Sequence, residues 1–186
     1  NLVTDRQHLG SQLEILNVAT GHSHLIYQSP RAIHAPNFMK DCKNLIYNSD
    51  GLIYKLTLAS HTPIILNTGT VTHNNNDHVM SFDGKMLGLS SSSTDDNASN
   101  VYVVPMSGGE PKRITQTGPS YLHGWSPDGK FLVFVGQRHD DFDISKIPSD
   151  GSGKEMQLTT SKGLDDRHEF SPVGEYIYFN SVRTAG

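Results

Sequence analysis

The 186 residues suffice for one domain with a sizeable core, and 15 Lys and Arg against 19 Asp and Glu leave a formal net charge of −4. That balance offers no general attraction to phosphate backbones or anionic lipid, and no apolar run approaches a bilayer span. Nucleic acid is therefore set aside as a partner and membrane insertion is not expected, while a single cysteine, Cys42, excludes an intrachain disulfide.

In chain order, Gln12 to Val18 and Ser23 to Gln28 predict two strands of an incomplete unit over about 11–30. A first full unit follows over about 31–70. Its Pro36 to Tyr47 hairpin leads through the tight turn Asn48-Ser-Asp-Gly51 to Leu52 to Leu58 and then Pro63 to Leu66. Cys42 stands where sister units carry glycine, so this hairpin is expected to use a different turn. The second unit, about 71–117, has the turn Ser81-Phe-Asp-Gly84, a strand from Lys85 to Leu89, and the Ser-rich loop 90–99. Outer strands Val101 to Pro105 and Lys112 to Thr115 complete it. The third, about 118–161, runs Tyr121 to Ser126, Lys130 to Gly136, Phe142 to Ile147 and Glu155 to Thr159. A last half unit occupies 162–186, with Val173 in place of the turn aspartate.

The units are copies of one another. His123-Gly-Trp-Ser-Pro-Asp-Gly-Lys-Phe-Leu-Val-Phe134 recurs as the segment from His78 to Leu89, as that from His168 to Phe179, and in eroded form from Pro36 to Tyr47. The turn positions 83, 128 and 173 are 45 residues apart. A fixed period of this size, with short apolar runs and Asp-Gly turns, marks a repeated β-unit. Units of four strands arranged about an axis make a β-propeller, so the chain is read as all-β, with about four blade equivalents. Pairing the two terminal halves is one way to close the ring and hide their edges; association between chains is another.

The segment Trp125-Ser-Pro-Asp-Gly-Lys130 and its copies resemble the WD40-like (PD40) repeats of TolB-like β-propellers over nearly the whole chain. The segments Asn75-Asn76-Asp77-His78, Pro119 to Trp125, Gly163-Leu-Asp-Asp166 and Tyr176 to Ser181 strengthen that resemblance. It implies a bacterial propeller, typically of about six blades, acting as a non-catalytic scaffold that binds a protein or peptide. Against six blades, this chain reads as a shortened form.

His78, His123 and His168 recur at the 45-residue period, two residues before the Met, Trp or Phe of the first strand of each unit. In a propeller these strands are innermost, so the three imidazoles are expected around one channel mouth, with His34 as an extension. Asp77, Asp165 and Asp166 stand beside them, Arg167 sits among them, and Tyr121 offers a stacking surface. Ligand-binding candidates are thus His78, His123, Asp77, Asp165, Asp166, His168 and Tyr121. The alternatives for these residues are strand-capping histidines and solvated loop charge. No cofactor is expected on the binding reading. The runner-up places a divalent metal on His78, His123 and His168, as in the pectin-fragment lyases that resemble this repeat family. The chain would then be a metal-dependent oligosaccharide lyase or hydrolase. A third reading is an assembly module pairing through blade edges. No Gly-x-Ser-x-Gly elbow, Walker loop or dinucleotide fingerprint is present. The missing disulfide and the polar start Asn1-Leu-Val-Thr-Asp-Arg6 tilt the compartment toward cytoplasm over periplasm, without settling it.

Overall fold

The computed structural model describes residues 10–95 and 97–182, and every regular element in them is a strand. A two-stranded hairpin comes first: β1 (Ser11–Leu16) and β2 (Ser23–Ser29). Three four-stranded antiparallel sheets follow. The first holds β3 (His34–Phe38), β4 (Asn44–Ser49), β5 (Leu52–Thr57) and β6 (Thr62–Ile65). The second holds β7 (Asn74–Met80), β8 (Met86–Ser92), β9 (Ser99–Pro105) and β10 (Lys112–Arg113). The third holds β11 (Ser120–Trp125), β12 (Phe131–Arg138), β13 (Asp141–Pro148) and β14 (Met156–Gln157). A second hairpin, β15 (Asp165–Phe170) with β16 (Ile177–Ser181), ends the described chain. Strand order within each sheet follows the chain, so each sheet is a meander.

Consecutive sheets pack face to face, and that contact is the core. The middle strands carry near-continuous apolar runs because both of their faces are covered. Between the first and second sheets, Ile46 and Ile53 meet Leu87, Leu89 and Val104. Between the second and third, Val101, Val103 and Ile114 meet Leu122, Trp125, Leu132 and Phe134. Leu13 of the first hairpin packs against Leu45, Tyr47 and Leu56. Each such side chain contributes about 1.5–3 kcal/mol when fully buried. Gly88 makes room in this contact: a Cβ there would overlap Leu122 Cδ2 and crowd Trp125 Nε1 at 3.2 Å, so a side chain would force Leu122 out of its buried position.

Polar bonds fix the sheets' relative height. The Trp125 indole N–H donates to the Val79 carbonyl (2.9 Å), and Leu122 N–H donates to Ser90 Oγ (2.7 Å). Trp125 is thus an intersheet core residue. Asn48 Nδ2 donates to the Asn74 carbonyl (3.0 Å), and Asn74 Nδ2 donates to the Gly51 carbonyl (2.8 Å).

Two sequence expectations need correction. The Cys42 hairpin does not use a different turn. Cys42 N–H donates to the Met39 carbonyl at 2.9 Å, as Gly84 does to Ser81 and Gly129 to Ser126 at 2.8 Å, and Cys42 takes φ 51°. Asp41 Oδ1 accepts from Lys43 N–H (2.8 Å), holding the loop despite the side-chain cost at positive φ. The turn at Val173 also survives, through Gly174 at φ 77° and its bond to the Ser171 carbonyl (2.8 Å). The second correction concerns ring closure. The terminal hairpins share no ladder among the described residues: β1 pairs only with β2, and β15 only with β16.

Candidate functional site

The inner strands β7, β11 and β15 all begin with polar residues and lie side by side. A cavity of about 800 Å³ opens where they start. Asn76 and Asp77 come from β7, Tyr121 and His123 from β11, and Asp166 and Arg167 from β15; Val135, Phe142 and Leu164 form an apolar wall.

The chemistry centres on Asp77, His123 and Asp166. His123 Nε2 lies 3.4 Å from Asp166 Oδ1, with both side chains partly open to solvent. An exposed pair of this kind contributes at most about 1 kcal/mol, so it orients the imidazole more than it stabilises the fold. Burial pushes the Asp77 carboxyl above the usual carboxylate range; His123 opposes that shift and the like charge of Asp166 adds to it. Asn75 Oδ1 accepts from Asp77 N–H (2.8 Å), and Asp166 Oδ1 accepts from Arg167 N–H (2.7 Å), which pins both carboxylate-bearing segments. Two carboxylates and one imidazole therefore share a mouth. Among the described residues no Ser, Thr or Cys side chain lines it. Such a set can bind a cation or several hydroxyls.

Of the residues expected at the mouth, Asp77, Tyr121, His123 and Asp166 line the cavity, whereas His78, Asp165 and His168 do not. His78 is 4% exposed and His168 2%, and both rings make no well-formed hydrogen bond. Burial lowers each to about 4; the Ala35 backbone opposes this at His78, and at His168 the Val133 backbone opposes it. Asp165 is fully buried and acts on Asp143, whose carboxyl is raised chiefly by burial. His34 is exposed at the start of β3 and lines no part of this cavity. His123 and His168 touch edge to face, with ring centroids 5.1 Å apart at 87°.

A metal on His78, His123 and His168 does not fit this placement. His78 and His168 are sealed against different neighbouring sheets, and no group of three His, Cys, Asp or Glu side chains among the described residues is arranged to hold an ion. Each inner strand also carries a bulge. Register shifts lie between Asn74 and His78, between Leu122 and Gly124, and between Asp166 and Glu169. β11 and β15 share the same one-residue shift, so it is the neighbouring backbone, Ala35 at His78 and Val133 at His168, that takes these two rings out of the mouth. Asn76, Tyr121 and Asp166 do share one repeat position and all line the mouth. That period was visible in the sequence; Asn76 went unremarked because asparagine in a loop-like run carries no distinctive signal.

These sheets and this hub define a propeller domain, and comparison with known proteins gives the family. The profile of the TolB beta propeller domain matches residues 4–186, and the chain belongs to that family. An uncharacterised protein of Agrobacterium fabrum is 42% identical over 135 residues, 72% of this chain and 46% of that protein. A solved structure from Agrobacterium tumefaciens, described as a candidate TolB, is 42% identical with a TM-score of 0.84, covering 91% of this chain and 61% of that one. The chain thus spans less than two thirds of the length of either relative. The fold alone is shared with TolB from Acinetobacter baumannii, at 22% identity and TM-score 0.76, covering 94% of this chain and 44% of that one. The fold is likewise shared with an oligogalacturonate lyase in complex with manganese, at 16% identity and TM-score 0.74, covering 93% of this chain and 53% of that one. Among the described residues no helix is long and apolar enough to cross a membrane.

Proposed function

We propose that this propeller is a non-catalytic scaffold whose channel mouth holds a peptide segment of a protein partner. The observation that carries the reading is the convergence of Asp77, His123 and Asp166 on a cavity of about 800 Å³ with a three-residue apolar wall. A cavity of this size takes several side chains of an extended peptide. Its two carboxylates outnumber the one lining cation, Arg167, and so favour a segment bearing Lys, Arg or a free amine, which there meets a net charge of opposite sign.

The test is selection from a random peptide display library on the full chain, followed by affinity measurement with Asp77→Asn/Asp166→Asn. The substitutions keep shape and remove charge. Cationic peptides should be enriched on the parent, and their affinity should fall at least tenfold on the double variant, with thermal stability nearly unchanged. Peptides that bind parent and variant equally would overturn the assignment of the mouth.

A further inference from the structure

The hub has a second level. Further along the same inner strands, a chamber of about 280 Å³ is lined by Val79, Met80, Phe82, Gly124, Trp125 and Phe170. Lys40 and Glu169 add one charge of each sign, and His123 forms part of the lining of both this chamber and the mouth cavity. The two spaces therefore share His123 as a lining residue.

Gly124 is the reason the chamber exists. Its counterparts at the 45-residue period are Val79 and Glu169, both with side chains. A Cβ placed on Gly124 would meet only Phe170 Cδ2, at the ordinary contact distance of 3.8 Å, and Gly124 is not among the positive-φ glycines. Neither packing nor backbone geometry demands glycine here, in contrast with Gly88. The volume that a side chain would fill is open, and its surroundings are apolar. Phe82, one of the lining residues, is 40% exposed, more than an aromatic ring in a closed core would be.

We propose that the chamber beside Gly124 is a side-chain pocket. It takes one aromatic or long aliphatic side chain of the same peptide whose cationic group lies with Asp77 and Asp166 at the mouth. The inference rests on the peptide-binding reading above and adds its second determinant. Charge complementarity selects the occupant: the carboxylates call for a cation in the mouth cavity, and the apolar recess calls for a hydrophobic group in the chamber. Trp125, the sole tryptophan of the chain, lines the recess and so reports on its filling.

The probe is 4-phenylbutylamine, with butylamine and 4-phenylbutanol as its two halves, read by Trp125 fluorescence and by titration calorimetry on the full chain. The joined molecule should bind at least tenfold tighter than either half and should shift Trp125 emission. Gly124→Leu fills the recess; it should lower 4-phenylbutylamine affinity at least tenfold and leave butylamine binding unchanged. Gly124→Ala, a smaller intrusion, should give an intermediate loss and serves if the leucine variant fails to fold. Undiminished 4-phenylbutylamine binding in these variants overturns the pocket while leaving the mouth reading intact. Butylamine that ignores Asp77→Asn/Asp166→Asn, alongside 4-phenylbutanol binding that Gly124→Leu abolishes, overturns the mouth reading and keeps the pocket. No binding of the joined probe to the parent overturns both.

Discussion

His78 in the second sheet and His123 in the third occupy the same place in their repeats, yet the fold uses them in opposite ways. His78 is sealed inside the packing, with burial holding its imidazole neutral, whereas His123 stands at the hub beside Asp166 and lines two cavities. His168 sides with His78. The difference comes from what covers each ring: His78 is sealed beside the Ala35 backbone of the first sheet and His168 beside the Val133 backbone of the third, whereas the His123 side chain stays partly open to solvent. A repeat thus sets the path of each inner strand without setting how deeply its side chains are covered by the next sheet.

The sharpest way to break this comparison is acid. His78 and His168 fall from an ordinary value of 6.5 to about 4 on folding. Between those limits the unfolded chain binds protons that the native one refuses, so their contribution is full above pH 6.5 and is lost as pH drops toward 4. At 1.36 kcal/mol per pH unit, the two together amount to a loss on the order of 5 kcal/mol. The raised carboxyls of Asp77 and Asp143 act in the opposite direction and reduce the net slope. Denaturant unfolding at pH 7 and pH 4.5 checks this, and His78→Leu/His168→Leu should flatten the dependence. A parent protein with equal stability at both pH values would contradict the assignment.

A smaller effect separates the three histidines directly. His78→Ala and His168→Ala each leave a cavity in the packing and should cost about 2–4 kcal/mol, while His123→Ala should stay within about 1 kcal/mol. Equal losses at all three positions in thermal unfolding would return His123 to the core. The smallest expected effect lies away from the hub: Cys42→Gly relieves a positive φ and should raise stability by about 0.5–1 kcal/mol, seen as a higher midpoint. A drop would show that the cysteine side chain contributes something beyond the turn.

Much of the fold was legible. The Asp-Gly turns marked the hairpins because Asp83 and Asp128 each accept from the backbone two residues on, at 3.0 and 3.1 Å, and a glycine at positive φ follows each of them. The doubly covered middle strands showed as short apolar runs such as Leu132 to Val135. The site was legible only in part. Asp77, Tyr121, His123 and Asp166 could be found by their place near the start of the inner strands, but the burial of His78, Asp165 and His168 depends on what the neighbouring sheet lays over them. That is decided by packing between sheets, which leaves no single-residue signature. The recess at Gly124 was likewise hidden, because a glycine reads the same whether it relieves a clash, as Gly88 does, or leaves space.

The central claim is that the mouth around His123 is an open binding surface while its sister histidines are structural. Diethyl pyrocarbonate labelling at neutral pH, mapped by peptide mass, tests it on the native chain with and without a display-selected cationic peptide. His123 should be acylated in the free protein and shielded by the peptide, with His78 and His168 unreactive in both states. Labelling of His78 or His168 at the rate of His123, or a peptide that leaves His123 fully reactive, would contradict it.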